Sequence, residues 1–438
     1  MPTTEEPACQ DRSSAWSDVV AAPPDAIFGV VAAYNADTRA DKINLAVGAY
    51  RDADGRPWVL PCVRRAETLL QQQQPGHEYL PVGGLAAFTV GARTAALGAD
   101  GACCAHSRVA SVQTLSGTGA LRLAAELLAR WHRGPRTVHL PAPTWDNHAA
   151  VFAAAGLGVR HYRYWDAKTR GVDVAGMLAD VRAAPMRSVF LFHACAHNPT
   201  GADPEPEDWA RICAACRERA HTVVFDAAYQ GFASGDAERD AHAMRLFAQA
   251  QEQQQQQQQG QQQEQGGLLV CQSFAKTLGL YGERVGALHV VCASAEEAAR
   301  VGSQLQGIAR AMYSSPPAWG ARIAATVFAH PELVRAWAAD VQHMAQRLGD
   351  TRAALVAALR RVSGSPCAWE HITRQTGMFA YTGLTTRQCA AMVREHAVYL
   401  TANGRISIAG LTPANVDRVA CAIHRVTVDY PQAPETEM

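Results

Sequence analysis

The sequence predicts an α/β protein: a mostly parallel sheet with helices on both faces, joined to a smaller α+β domain. Apolar, strand-like runs alternate with Ala/Leu-rich helical runs over roughly 200 residues, the pattern of crossover units rather than hairpins. With 438 residues, 48% hydrophobic and 18% charged, the chain can bury a large core and divide into two domains of one subunit. After Ser314 and Ser315 a helical stretch runs from PPAWGARIAATV to VAALRRV before a mixed C-terminal region, as a connector helix to a second domain would. The expected limits are an N-terminal arm and part of the small domain at 1–57, a large domain at 58–343, and the rest of the small domain at 344–438.

Along the chain VASVQTL, RTVHLPAP, RHYRYW, SVFLFHAC, HTVVFDAAY, LLVCQSF and GALHVVCAS read as strands, because β-branched and aromatic residues concentrate there in runs of strand length. The segments GALRLAAELLARWH, VAGMLADVRAA, PEDWARICAACRERA and AEEAARVGSQLQGIARA read as helices. The Gln-rich tract at 251–265 lies between the helical AMRLFAQA and the strand LLVCQSF and reads as a solvated surface loop. A formal net charge of zero gives no global field toward nucleic acid or an anionic membrane. No apolar run approaches bilayer-spanning length. The 12 cysteines, scattered through Ala-rich segments, suit buried free thiols in a reducing compartment. The N-terminal MPTTEEPACQDRSSAW is acidic, unlike a targeting segment, so a cytoplasmic protein is expected, or a mitochondrial or plastid one if a transit peptide is missing from this chain.

Chemistry enters through scarcity. Of 40 Lys plus Arg residues only Lys42, Lys168 and Lys276 are lysine. Arginine carries charge as well but does not lose its proton, so it cannot act as an amine nucleophile. Lys276 stands in SFAKTLGLYGERVG, just past a predicted strand. The ends of the other strands are also chemically loaded. VASVQTL runs into Ser116, Gly117, Thr118 and Gly119 and then a helix, a Gly-rich turn suited to a phosphate. SVFLFHACAH runs into Asn198-Pro-Thr-Gly201, HTVVF delivers Asp226 and then Tyr229, and LLVCQ delivers Ser273 and Lys276. In such sheets ligands sit beyond the carboxyl ends of the strands.

A carboxylate, a phenol, an amine and a phosphate-sized turn at one sheet edge match the needs of pyridoxal phosphate: a lysine for its aldehyde, an acid for its ring nitrogen, and a helix N-terminus with an arginine for its phosphate. Asp226 would face the ring nitrogen, Tyr229 and Asn198 the ring hydroxyl oxygen, and Arg284, Ser273 and Thr118 the phosphate. With VGAYRD, HEYLP, SGTGALR, PTWDNH, HACAHNPTG, DAAYQGFASGD, YSSPP and GRISIAG, these motifs resemble the eukaryotic-type aspartate aminotransferases, class I enzymes of pyridoxal-phosphate fold type I, over roughly residues 16 to 427. The resemblance implies an amino-group transfer between aspartate and 2-oxoglutarate, with Lys276 as tether and base. It further implies that Trp145 stacks on the ring, His148 supports Asp226, Gly48 lies near the substrate, and Tyr79 reaches the phosphate of the neighbouring subunit in a homodimer. By the same resemblance Arg405 pairs the substrate α-carboxylate, and Arg310 crosses the subunit boundary to the distal one. Ser315 stands where the family has asparagine.

Other readings of these residues carry less. Ser273-x-x-Lys276 matches the S-x-x-K of serine β-lactamases, but the supporting S-D-N and K-T-G are absent. His193, Cys195 and His197 lie on one strand end without a fourth metal ligand, and read as packing; no metal is expected. Cys213 and Cys216 sit in an Ala-rich helical pattern as buried thiols. A scaffold acting through glutamine tracts would have no use for a complete cofactor constellation. An aromatic or kynurenine aminotransferase is the nearest alternative activity, and Arg310 discriminates it.

Overall fold

The structure, a computed structural model, describes residues 14–22, 27–99, 101–105, 107–257, 266–364 and 369–431. Its centre is a seven-stranded sheet made of β1 (Val109–Leu115), β2 (Thr137–Ala142), β3 (Gly158–Arg163), β4 (Val189–His193), β5 (Thr222–Ala227), β6 (Leu268–Ser273) and β7 (Val285–Val291). The order across the sheet is β1-β7-β6-β5-β4-β2-β3. Neighbours are parallel except β7, which runs antiparallel to both β1 and β6. The expected α/β class with a mostly parallel sheet is therefore the one observed, and all seven predicted runs contribute a strand.

Both faces of the sheet are covered, which is why its central strands are continuously apolar. On β5, Val223 and Phe225 pack with Trp209, Ile212 and Phe247 on one side, while Val224 packs with Leu121 and Leu128 on the other. The covering helices include α1 (Ser116–Trp131), α2 (Pro206–Glu218) and α3 (His242–Gln257). Cys213 and Cys216 lie buried on α2.

Two expectations need correction. The Gln-rich tract is not a loop from residue 251: α3 continues through Gln257, and only 258–265 lie outside the described residues. Glutamine is a fair helix former. The helix is also held laterally, since Glu252 accepts from the Cys103 amide and Gln255 from Arg108. The long C-terminal helical stretch is two helices, α4 (Trp319–Ala329) and α5 (Pro331–Ser363), broken at His330. His330 is extended at φ −115° and ψ 109° because the following Pro331 ring disfavours helical backbone before it, whereas proline itself suits the first position of α5.

The remaining strands tie the two ends of the chain together. Ile43–Asn44 pairs in parallel with Val398–Tyr399, and Phe379–Tyr381 pairs antiparallel with Arg405–Ser407. Residue 405 is thereby brought from the C-terminal layer to the carboxyl ends of the large sheet.

Gly286 on β7 decides whether the sheet can meet the start of α1. A Cβ there would stand 2.5 Å from the Ser116 carbonyl carbon and 2.6 Å from the Gln272 carbonyl oxygen, both backbone atoms that cannot swing aside. Gly286→Ala is expected to destabilise the protein by about 2 kcal/mol or more, as overpacking does, read as a lowered urea midpoint.

Candidate active site

The phosphate-sized turn is built where β1 gives way to α1. Ser116 has φ +59°, a left-handed conformation uncommon for a residue with a side chain. Its amide donates to the Arg284 carbonyl at 3.1 Å, and Arg284 itself has φ +54°. Two strained residues are thus held face to face by one bond, a concentration typical of functional sites. The Ser116 and Ser273 hydroxyls are 2.9 Å apart, and no side chain caps α1. The first amides of the helix, through Gly117 and Thr118, remain available to an anion.

At the other end of the cavity Asp226 closes β5, 8% exposed. His148 Nε2 donates to its carboxylate at 3.1 Å. The tautomer so defined leaves His148 Nδ1 as acceptor for the Thr144 hydroxyl at 2.8 Å; Thr144 Oγ1 in turn accepts from His193 Nε2 at 3.2 Å. His193 Nδ1 then accepts the Asn198 amide at 3.3 Å. Every donor in this chain meets one acceptor. Burial alone would raise the Asp226 carboxyl, but the hydrogen bond donated by His148 is the largest of the opposing influences that hold Asp226 below the usual carboxylate value. Burial pushes His193 down to about 3.

Lys276 lies between these ends, its Nζ 5.2 Å from the centre of the Tyr229 ring. Burial lowers its pKa and Arg284 acts in the same direction, while Asp226 opposes them. Tyr229, buried, has its phenol pushed up. Trp145 meets His148 edge-to-face with centroids 5.2 Å apart. These residues share one cavity, whose walls comprise Ser116, Gly117, Thr118, Trp145, His193, Asn198, Asp226, Tyr229, Ser273, Lys276 and Arg284.

Arg405 is 3% exposed. It donates through Nη1 to Asn198 Oδ1 at 3.1 Å and through Nη2 to the Ala46 carbonyl at 2.9 Å, and Nε has no partner. Asn198, its oxygen turned to Arg405, keeps its Nδ2 hydrogens to donate elsewhere. Gly48 lies against the Phe379 ring, since a Cβ on it would come within 2.9 Å of Phe379 Cζ.

Gly48 and Arg405 stand behind the cavity wall, Arg405 joined to it through Asn198, and two further predicted residues are not brought to the cavity within one chain. Tyr79 is 89% exposed. Arg310, at the end of the helix Ala295–Tyr313, is exposed and donates to Ser314 Oγ; Ser314 has φ +68°. Thr144, the link between two histidines, was not singled out in the sequence, nor was Phe379. His193, read as packing, is buried but also lines the cavity. Thr144 and His148 stand four apart across the start of a short helix, and that spacing was the available signal.

Comparison with known proteins identifies the family. The family described as Aminotransferase class I and II matches residues 40–423. The chain belongs to that family. It is 48% identical over 422 residues to the mitochondrial aspartate aminotransferase of Xenopus tropicalis, covering 96% of this chain and 95% of the relative. It is 45% identical over 417 residues to the mitochondrial enzyme of Dictyostelium discoideum, covering 94% and 93%. Among solved structures, the aspartate aminotransferase from Saccharomyces cerevisiae cytoplasm superposes with a TM-score of 0.89 at 42% identity, over 95% of this chain and 99% of that one. An aromatic-amino-acid aminotransferase from Burkholderia pseudomallei, covalently bound to pyridoxal phosphate, superposes with a TM-score of 0.87 at 40% identity, over 94% and 99%.

The buried histidines make an acid-lability prediction. A histidine held neutral in the fold takes up a proton only on unfolding, so between its folded value and about 6.5 stability rises with pH and is lost as pH falls. His193 lies near 3, and His221 and His371 near 4, all by burial. Stability measured by urea unfolding is expected to fall between pH 6.5 and 4. His193→Gln should reduce that slope by about 1.4 kcal/mol per pH unit, one proton's worth; an unchanged slope would exclude a buried neutral His193.

Proposed function

We propose that the protein transfers an amino group between L-aspartate or oxaloacetate and 2-oxoglutarate or L-glutamate in a ping-pong cycle, with pyridoxal phosphate held at Lys276. The observation that carries this is Arg405: a nearly fully buried guanidinium, with no carboxylate in ion-pair contact among the described residues, bonded to Asn198 in the wall of a cavity that holds a lysine of lowered pKa and an aspartate kept below the usual carboxylate value. Such a cation is uncompensated until an anion arrives. The donor set fits the cofactor, with an uncapped helix N-terminus, two hydroxyls and Arg284 at one end and Asp226 at the other.

Bound pyridoxal phosphate supplies an aldehyde for the amino group and a ring that accepts the electron pair released at the substrate Cα. Ser116, Gly117, Thr118, Ser273 and Arg284, with Tyr79 of the partner subunit, would hold the phosphate. Asp226, supported by His148, would hold a proton on the ring nitrogen. Tyr229 and Asn198 would bond the ring hydroxyl oxygen, and Trp145 would lie against the ring. Lys276, whose amine burial favours in the neutral form, moves the proton from the substrate Cα. Arg405 pairs the α-carboxylate near Gly48, and Arg310 serves the distal carboxylate across a homodimer boundary, which accounts for its exposure in one chain. Domain limits at 57/58 and 343/344 belong to this reading; the second lies inside α5 and makes that helix the mechanical link between domains. Relatives from both cytoplasm and mitochondria share the fold, and the cytoplasm is the compartment proposed here.

Two experiments test the reading. Borohydride reduction of the loaded protein followed by peptide mapping is expected to place the label on Lys276, and Lys276→Arg should abolish both labelling and turnover; label on another residue would end the assignment. Arg310→Ala should lower kcat/KM for aspartate by at least about a hundredfold, the scale of a lost charge-assisted pair, with much smaller loss on phenylalanine. Equal losses on both substrates would remove Arg310 from this role, and activity of the unaltered protein on phenylalanine comparable to that on aspartate would favour an aromatic aminotransferase.

A further inference from the structure

We propose that Phe379 is a positioning residue for Arg405, and that the buried Arg352 fixes the loop that carries it. This rests on the reading of Arg405 as a carboxylate site. The Phe379 ring lies against the Arg405 guanidinium, 4.1 Å from ring centre to Cζ. The same ring meets Tyr229 edge-to-face at 5.9 Å, and its Cζ occupies the space that a Cβ on Gly48 would enter. One side chain therefore touches the proposed carboxylate site, the proposed ring-hydroxyl donor and the glycine beside the substrate.

The backbone around Phe379 is fixed from three directions. Phe379 pairs with Ser407 and Tyr381 with Arg405 in one antiparallel ladder. Gly201, at φ +65°, admits the close approach of the Thr376 and Phe379 carbonyls, each 2.9 Å from where its Cβ would be. Arg352, projecting from α5, donates through Nη2 to the Gly377 carbonyl at 2.5 Å and the Phe379 carbonyl at 2.9 Å. Arg352 is 3% exposed, and burial alone lowers its pKa, with no charged partner among the described residues. A buried cation without a counter-ion destabilises a fold. The two carbonyls, both bonded by Nη2, partly offset that cost, while Nε stays unpartnered.

The guanidinium of Arg405 is tethered at Nη1 and Nη2 on its edge, so its plane still needs a face contact to set its tilt. An aromatic ring supplies one: it attracts the cation through its quadrupole and excludes water from that face. An aliphatic side chain would fill the space without fixing the plane. The free edge of Arg405 would then meet a carboxylate in a spread of orientations, and binding would weaken before chemistry did.

The test uses the cofactor-loaded protein and succinate, a dicarboxylate with no amino group to react. Succinate affinity is measured by calorimetry, together with KM and kcat for aspartate. Phe379→Leu is expected to weaken succinate about tenfold and raise the aspartate KM by a similar factor. The cofactor absorbance should be unchanged and kcat should stay within about threefold. Phe379→Met, closer to the ring in length and adaptable in a core, is expected to show the same loss and serves if the leucine variant does not fold. Succinate bound as tightly by the variants as by the wild type would overturn the role of Phe379, as would a loss confined to kcat. A wild-type protein that does not bind succinate would instead overturn the carboxylate reading of Arg405, and this proposal with it.

Discussion

An ionised carboxylate inside the sheet is the constraint on which the rest of the site depends. Asp226 ends β5 at a depth where burial alone would neutralise it. A protonated acid there could neither hold a proton on a facing ring nitrogen nor support the charge of a nearby amine. His148 reverses the balance with a single hydrogen bond, and His148 can donate only because Thr144 occupies its other nitrogen. Thr144 is in turn oriented by His193, and His193 by the amide of Asn198. The charge state of one strand end is thus set by a chain that reaches the neighbouring strand end, where Asn198 also meets Arg405. Recognition at Arg405 and electrostatics at Asp226 share one backbone segment.

The sheet topology makes this sharing possible. β4, β5 and β6 are parallel neighbours, so their carboxyl ends lie side by side and present Asn198, Asp226 and Lys276 within one cavity. The antiparallel β7 carries the chain away from that edge, beginning just after Arg284, whose carbonyl receives the Ser116 amide. A fully parallel strand in this position would have needed a further crossover and would have entered from the opposite edge. The reversal is therefore what closes the phosphate end of the cavity over the start of α1.

Much of this was legible in the sequence, and the illegible part has physical reasons. Strands buried on both faces announce themselves as apolar runs, so all seven were identifiable, and residues immediately beyond them could be assigned to one edge without knowing the strand order. The extent of α3 into the glutamine tract was not, because composition suggested a solvated loop while the helix is secured by contacts from Cys103 and Arg108, far away in sequence. The break at His330 could have been read from the proline that follows it; helical periodicity on both sides concealed it. Thr144 and Phe379 escaped because each works through another residue. A threonine becomes informative only when two histidines are seen on either side of it, and a phenylalanine only when its ring is found against an arginine.

Three buried cations illustrate how the same cost serves different ends. Arg352 is permanently answered by carbonyls of its own chain, so its charge is structural. Arg405 bonds Asn198 and the Ala46 carbonyl; like Arg352 it leaves Nε unpartnered, but it differs in standing next to a cavity wall residue, where an external anion is the proposed counter-charge. Arginine suits both places because burial cannot readily strip its proton, although burial lowers both values. Lys276 is the contrasting case: the same desolvation acting on an ammonium shifts it toward the neutral amine, which is the form that can attack a carbonyl and accept a proton. A chain with three lysines and many arginines has therefore placed the deprotonatable cation where chemistry requires an amine, and the permanent ones where it requires a charge.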